Sequence, residues 1–387
     1  MKVALYHPWV YLRSGIERSF VELFARSRHD WVVYTHHHEP DATYPELCDA
    51  DIRALAPEVS VRRSFGPLAH AAATMTRVRF PIGDERALLV SSEGLGDLVA
   101  LRSRVPVAAY CHTPLKIVHD PDTRAALVDH DRRKAAAIGV LAPAWNIVDR
   151  RAWRHYRHVF VNSEETQRRI PAARLRPSGP VEVLHPGVDL DRFTPGSPDR
   201  EPFVLVAGRI MWQKNIELAI DAVAALARDG RGLRLVVAGA VDVKSAEYLA
   251  ALRDRVSGAG LESAVEFIVD PSDEVLVDLY RRCLLLVFTA RNEDFGMVPL
   301  EAMACGTPVL AVDRGGPRET VLDGRTGWLR PADAQVFADV IGTVLATPAS
   351  VDPLRTACVE QAAQFGWATF VARVDDVMAG LVDVGVG

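Results

Sequence analysis

No apolar run in this 387-residue chain approaches the ~20 residues that a helix needs to cross a bilayer. The opening Met1-Lys2-Val3-Ala4-Leu5-Tyr6-His7-Pro8 is too short an apolar stretch for a secretory signal and reads instead as a first strand. Cysteine is scarce: five are scattered with no Cys-x-x-Cys pair, and the odd count argues against a disulfide framework. A reducing cytoplasm is therefore the expected compartment. Low-complexity tracts are missing too. Net charge is small, −5, and no nucleic-acid partner is expected. The charge is uneven, however: residues 1–190 carry 26 Lys/Arg against 22 Asp/Glu, the rest 19 against 28. A basic amino-terminal half suits an acidic acceptor or a membrane surface, but an excess this small is met by an ordinary solvated face. Peripheral membrane association is compatible with it and not indicated by it.

What is present is a regular alternation of strand-like and helical segments, the pattern of parallel sheets with crossover helices. The length exceeds what one core supports, so two domains are expected. Strand-like runs fall at Val3–Tyr6, Trp31–Thr35, Ala87–Ser91, Val107–Tyr110, Val159–Asn162 and Val181–Leu184, with helical stretches at Ile16–Arg26 and from about Thr123 to His155. In the second half Phe203–Ala207 leads to Asn215, a candidate N-cap, and Ile216, Ala219, Ile220, Val223 and Leu226 then recur at helical spacing. Leu233–Ala238 follows as a strand. The Pro/Gly-rich stretch Pro186–Pro202, with Pro195-Gly196-Ser197-Pro198, reads as the linker between domains 1–190 and 200–366. A last amphipathic helix runs from Phe365-Gly366-Trp367 to Met378.

The most informative run is Glu293-Asp294-Phe295-Gly296-Met297-Val298-Pro299-Leu300-Glu301. Leu284–Phe288 before it is a buried-strand burst, Pro299 suits the first turn of a helix, and Gly306 suits its end. The order strand, loop, helix puts two carboxylates and free backbone N–H groups at the carboxyl end of a strand, where open α/β sheets bind ligands. Carboxylates accept from vicinal hydroxyls, and helix N-termini donate to anionic oxygens. Either Glu alone also reads as a solvated loop residue or a first-turn complement to the helix dipole.

The whole string resembles the Glu-x7-Glu signature of the retaining family 4 (group 1) glycosyltransferases, which include sucrose synthases and bacterial mannosyltransferases. Ala302–Leu310, Gly315-Gly316-Pro317-Arg318-Glu319, Gly324 and Gly327-Trp328-Leu329 continue the likeness. The resemblance implies a GT-B fold, two Rossmann-like domains facing each other across a cleft, with the final segment 367–387 packing back on the first domain. It also implies a nucleotide-sugar donor, GDP- or UDP-linked, as co-substrate, with no cofactor.

Within that resemblance other residues take roles. Isolated, Arg209 and Lys214 read as solvated loop cations; before Glu293 and Glu301 they match the diphosphate position. A planar guanidinium fork and a mobile ammonium there would stabilise the leaving group's growing charge. Glu301 is expected on the nucleotide ribose, and Glu293 with the backbone of Phe295, Gly296 and Met297 on sugar hydroxyls. Tyr110-Cys111-His112-Thr113-Pro114 is similar to the mannosyltransferases' Tyr-x-His-Thr-Pro segment, which implies that His112 contacts the donor sugar. In Ser14-Gly15-Ile16-Glu17 the family's first glycine is replaced by Ser14. Gly15 keeps the close approach to diphosphate, whereas the Ser14 hydroxyl either contacts phosphate or caps the helix. Phe160–Thr166, with Asn162-Ser163, matches the family's Asn-Ser turn.

A metal is not expected. Asp189-Leu190-Asp191 lies in a segment resembling the family's interdomain turn, and His36-His37-His38 alternate faces at a strand end, a pattern read as surface. The resulting expectation is a metal-independent hexosyltransferase, with mannose favoured by the His112 segment, acting on a carbohydrate, lipid-linked or small-molecule hydroxyl. No general base stands out, and the resemblance implies that the leaving phosphate oxygen takes the acceptor proton. Two alternatives use the same residues: a disaccharide phosphorylase, and an inert subunit that binds sugar nucleotides.

Overall fold

The computed structural model describes residues 1–59, 65–78, 83–130, 132–197, 199–241 and 245–383. Pro198 of the linker, Asp131 of the long helical stretch and residues 384–387 of the terminal segment lie outside them. The chain divides into two units, Met1–Gly187 with Trp367–Gly387, and Val188–Gly366.

The first unit holds strands β1 (Lys2–Tyr6), β2 (Asp30–Thr35), β3 (Ile52–Ala54), β4 (Leu88–Ser92), β5 (Val107–Cys111), β6 (Tyr156–Val161) and β7 (Val181–Val183). They form one parallel sheet in the order β3-β2-β1-β4-β5-β6-β7. The second unit holds β8 (Phe203–Ala207), β9 (Arg234–Gly239), β10 (Val265–Val269), β11 (Leu285–Phe288), β12 (Val309–Val312) and β13 (Gly327–Arg330). Its order, β10-β9-β8-β11-β12-β13, repeats the same plan. Central strands such as β8 and β11 are buried at every position, because helices cover both faces of a parallel sheet and leave no polar side for alternation. The two faces of the second sheet accordingly feed two separate cores: Val204 and Val206 belong to one, and Phe203 and Leu205 to the other.

In both sheets the strand order reverses once, between β1 and β4 and between β8 and β11. Parallel neighbours whose crossovers leave in opposite directions open a crevice beyond their carboxyl ends, the usual ligand position of such sheets.

Several elements differ from their sequence reading. The helical stretch read from about Thr123 to His155 begins earlier, at Pro121, which opens it as a first-turn proline does; Pro121–His130 and Arg132–Trp153 are helical on either side of Asp131, and a short helix, Lys116–His119, precedes them. β6 begins at Tyr156, three residues before the apolar run, since Tyr156 is itself buried with its hydroxyl on Asp97. The last helix extends beyond Met378, spanning Trp367–Asp383, and belongs to the first unit. There Asp375 is buried, accepting from the Arg28 N–H at 2.9 Å and from the Ser27 hydroxyl, while Phe370 meets Tyr110 edge-on at 5.2 Å. His36 is not on the surface. Its Nδ1 is 2.8 Å from the Tyr6 hydroxyl, and burial pushes its pKa down to about 4. His37 turns the other way, toward Glu39 and Glu58.

Candidate active site

In the second unit the loops leaving β8 and β11 flank the switch point and are stitched together. Gly208, with φ of 108°, ends β8, and its N–H donates to Ala238 O at 3.1 Å. A Cβ at Gly239 would stand 1.8 Å from Gly208 O, so a side chain at 239 would push this loop away. Arg209 follows on the exposed side. The turn Trp212–Lys214 then brings the Lys214 carbonyl to the Thr289 hydroxyl at 2.7 Å, and the Arg291 N–H donates to Gln213 O at 3.1 Å.

Asn215 is not a side-chain cap. It adopts a left-handed backbone (φ 52°, ψ 46°), and its amide donates across to Thr289 O at 3.3 Å, so its short polar side chain is spent joining the two loops. The outcome is a close ion pair: Lys214 Nζ lies 2.6 Å from Glu293 Oε2 and 5.4 Å from the centre of the Phe288 ring.

The segment after Glu293 is held from behind by the double glycine. The Gly316 N–H donates to Glu293 O at 3.1 Å, a Cβ on Gly315 would lie 2.3 Å from that oxygen, and one on Gly316 would lie 2.2 Å from Phe295 O. Phe295 is buried in the core, anchoring the loop. Gly296 (φ 89°) starts the helix Met297–Ala304, where a residue with Cβ would be strained. Among the described residues no acceptor pairs with the N–H groups of Gly296 and Met297, which stand at the positive end of that helix. The helix closes in a Schellman motif: Gly306 (φ 78°) donates to Met303 O and Thr307 to Ala302 O.

Glu301 is the helix's fifth residue, past the first turn, so complementing the dipole does not explain it. Its Oε2 accepts from the Tyr280 hydroxyl at 2.8 Å, and burial raises its pKa. Tyr280, twenty-one residues upstream, was not singled out in the sequence.

The first unit has its own polar cluster at the carboxyl ends of β1, β4 and β5. His112 Nε2 lies 2.9 Å from the Ser91 hydroxyl, its ring meets Tyr110 edge-on, and its N–H donates to Ser92 O at 2.9 Å. Part of its surface is open, yet protein crowds the ring enough that desolvation pushes its pKa down to about 3. The imidazole is thus neutral and serves as a hydrogen-bonding group. His7 Nδ1 sits 3.1 Å from Ser91 O, and Glu93 is near enough to act on His112 electrostatically. His7, Ser91 and Glu93 were missed; a histidine directly after the first strand was the available signal.

Gly15 opens the helix Gly15–Arg26 beside this cluster. Ser14 caps that helix, accepting from the Ile16 N–H at 3.1 Å and donating to the Glu17 carboxylate. Burial raises the Glu17 pKa.

Two parallel Rossmann-like sheets, each with polar groups at its switch point, define a GT-B protein. Comparison with known proteins agrees. Residues 188–365 match the family described as glycosyl transferases group 1, and residues 14–192 match glycosyltransferase family 4. A D-inositol 3-phosphate glycosyltransferase of Streptosporangium roseum is 35% identical over 217 residues, 52% of this chain and 50% of that protein. The protein of the same name from Streptomyces avermitilis is 33% identical over 304 residues, 73% of this chain and 62% of its own length. The chain therefore spans about half to two-thirds of these relatives. Among solved structures, sucrose-phosphate synthase from Thermosynechococcus elongatus aligns with a TM-score of 0.77 at 21% identity, covering 99% of this chain and 100% of that one. Anabaena HepE, solved with UDP, aligns at 0.73 and 19% identity, covering 98% and 100%. This chain belongs to the family 4, group 1 glycosyltransferases.

Proposed function

We propose that the chain is a retaining, metal-independent glycosyltransferase that moves a hexose from a nucleoside diphosphate sugar to an acceptor hydroxyl. The observation that carries this reading is the Lys214–Glu293 pair, 2.6 Å apart at the switch point of the second sheet. A nucleotide sugar presents anionic phosphate oxygens directly beside neutral hydroxyls. A cation and a carboxylate held side by side complement those two neighbours, each taking the part of the donor it can bind. Arg209 adds a second cation on the adjoining loop, and the Gly296 and Met297 N–H groups add donors without charge. Together they supply the positive field that a divalent ion supplies elsewhere. Glu301, one turn further along, is the ribose acceptor in this reading, and the neutral His112 of the first unit is a sugar contact.

Donor identity has two supports that pull apart: the His112 segment favours GDP-mannose, while the UDP bound to HepE favours a uridine donor. The relatives' name makes a phosphorylated polyol one acceptor to include. The test is nucleoside diphosphate release from GDP-mannose, UDP-glucose and UDP-GlcNAc with such acceptors, before and after exhaustive EDTA treatment. Donor consumption that survives EDTA is expected. Activity restored only by manganese or magnesium would overturn the diphosphate assignment, and cleavage needing inorganic phosphate without nucleotide would favour a phosphorylase.

A further inference from the structure

The helix Arg132–Trp153 of the first unit turns an apolar stripe outward. Val140 is 79% exposed, Leu141 56%, Ile147 72% and Val148 36%. Ala136, Gly139, Pro143 and Ala144 between them are exposed as well. Positions 136, 140, 143 and 147 recur at helical spacing, so the open side chains form one band about three turns long. Its opposite side carries Ile138, Asp149, Ala152 and Trp153 into the protein. Val128, 45% exposed, lies on the neighbouring helix Pro121–His130. Single exposed aliphatics are ordinary, but a contiguous band of them marks a surface that meets something apolar.

Charge brackets the band. Exposed Arg132 and Arg133 precede it, and exposed Arg151 and Arg154 follow it. Beyond its carboxyl end, two adjoining cavities share His155. One of about 480 Å³ includes Val148, Arg102 and Arg151; the other, of about 450 Å³, includes Arg86, Arg104 and Arg157. Among the described residues no carboxylate lines either cavity. Among the described residues Arg86, Arg104, Arg151 and Arg157 form no ion pair, in a protein whose net charge is negative.

We propose that this face of the first unit docks on an anionic phospholipid bilayer, with Val140, Leu141 and Ile147 entering the acyl boundary and the arginines taking lipid phosphates. An interfacial helix buries its apolar side roughly 5–10 Å into the head-group boundary, and nearby cations add attraction to anionic lipid. Other occupants account for half the surface. Free phosphate satisfies the arginines and leaves the band in water, and so does nucleic acid. A second copy packed band to band by two-fold symmetry places Arg132 and Arg133 against Arg151 and Arg154, like charge on like.

Vesicle flotation of the full chain tests this. Binding is expected to phosphatidylcholine vesicles containing about 30% phosphatidylglycerol, at least tenfold weaker to pure phosphatidylcholine, and weaker as salt rises. The exposed-site double variant V140E/I147E should lose tenfold or more with an unchanged Tm. Arg104→Ala and Arg157→Ala should each cost about fivefold. Wild-type flotation of V140E/I147E, or no flotation of the native chain, overturns the proposal. So does a native dimer that V140E/I147E splits without any vesicle binding, which assigns the band to a copy of this chain.

Discussion

Lys214 and Glu293 hold each other across 2.6 Å with about a fifth of each side chain open to solvent, 20% and 23%. In the proposed reading a donor replaces that contact, so the two residues should respond differently to removal. Lys214→Ala takes away a charge-assisted bond to phosphate worth about 1.5–3 kcal/mol and should weaken nucleoside diphosphate binding roughly tenfold or more. Glu293→Ala frees the ammonium; diphosphate affinity should hold or rise while turnover falls about 10²–10³-fold through loss of a preorganised sugar contact. Calorimetric titration of both variants with GDP and UDP separates the roles, and equal losses of diphosphate affinity would remove the distinction.

His112 makes a pH statement. Burial holds its folded pKa near 3, below the ~6.5 of an unfolded chain, so its contribution to stability is present above 6.5 and is lost as pH falls toward 3. Across pH 5–8 the ring stays neutral. The pH profile of kcat for His112→Gln should therefore parallel the native profile at lower height. A native acid limb with an apparent pKa of 6–7 that disappears in His112→Gln would show that the ring titrates. At this scale, the residues lying in contiguous strings, Glu293, Glu301 and His112, were legible. Their partners were not: Tyr280 meets Glu301 across 21 residues of chain, Ser91 meets His112 across 21, and His7 meets Ser91 across 84.

Loops at the switch point are shaped by glycines as much as by the charged residues they display. Gly316 has an ordinary helical backbone, so its requirement is steric: a Cβ would lie 2.2 Å from Phe295 O and 2.3 Å from Phe295 Cα. Backbone cannot swing aside as a side chain can. Gly316→Ala should cost about 1–3 kcal/mol, the scale of overpacking, and should displace the loop that carries Glu293. Turnover should then fall further than the lost stability explains. Gly324→Ala is the matched control, since Gly324 has positive φ (72°) but open space around it. It should lower Tm through backbone strain and leave turnover per folded molecule intact. Equal turnover in the two variants would show that the double glycine does not position the site.

Strand interiors and the helix Ile216–Arg228 were readable from apolar spacing because both faces of the sheets are covered. Strands β3, β10, β12 and β13 escaped that reading. So did the left-handed turn at Asn215, whose side chain bonds to Thr289 on the β11 loop, 74 residues away.

For the molecule as a whole, alternation of strand and helix was enough to expect parallel sheets, length to expect two domains, and the Glu-x7-Glu resemblance to expect Rossmann-like ones; the two sheets share one strand order. The proposed retaining transfer is the reading that the engagement of the site's groups supports. Inversion needs a base that takes the acceptor proton on the face opposite the leaving group. Here Glu293 is tied to Lys214, Glu301 is bound by Tyr280, and the His112 Nε2 is engaged with Ser91. In the proposed reading Arg209 and Lys214 would stabilise the leaving diphosphate, whose oxygens are themselves basic enough to take a proton as the bond to C1 breaks. On that reading departure and attack would then share one face, and the donor's anomeric configuration would carry into the product. The anomeric coupling constant of the isolated product, measured by NMR from a donor of known configuration, should match that donor. An inverted linkage would mean that a side chain serves as base after all, and Glu93, close enough to His112 to act on it electrostatically, would be the first to substitute.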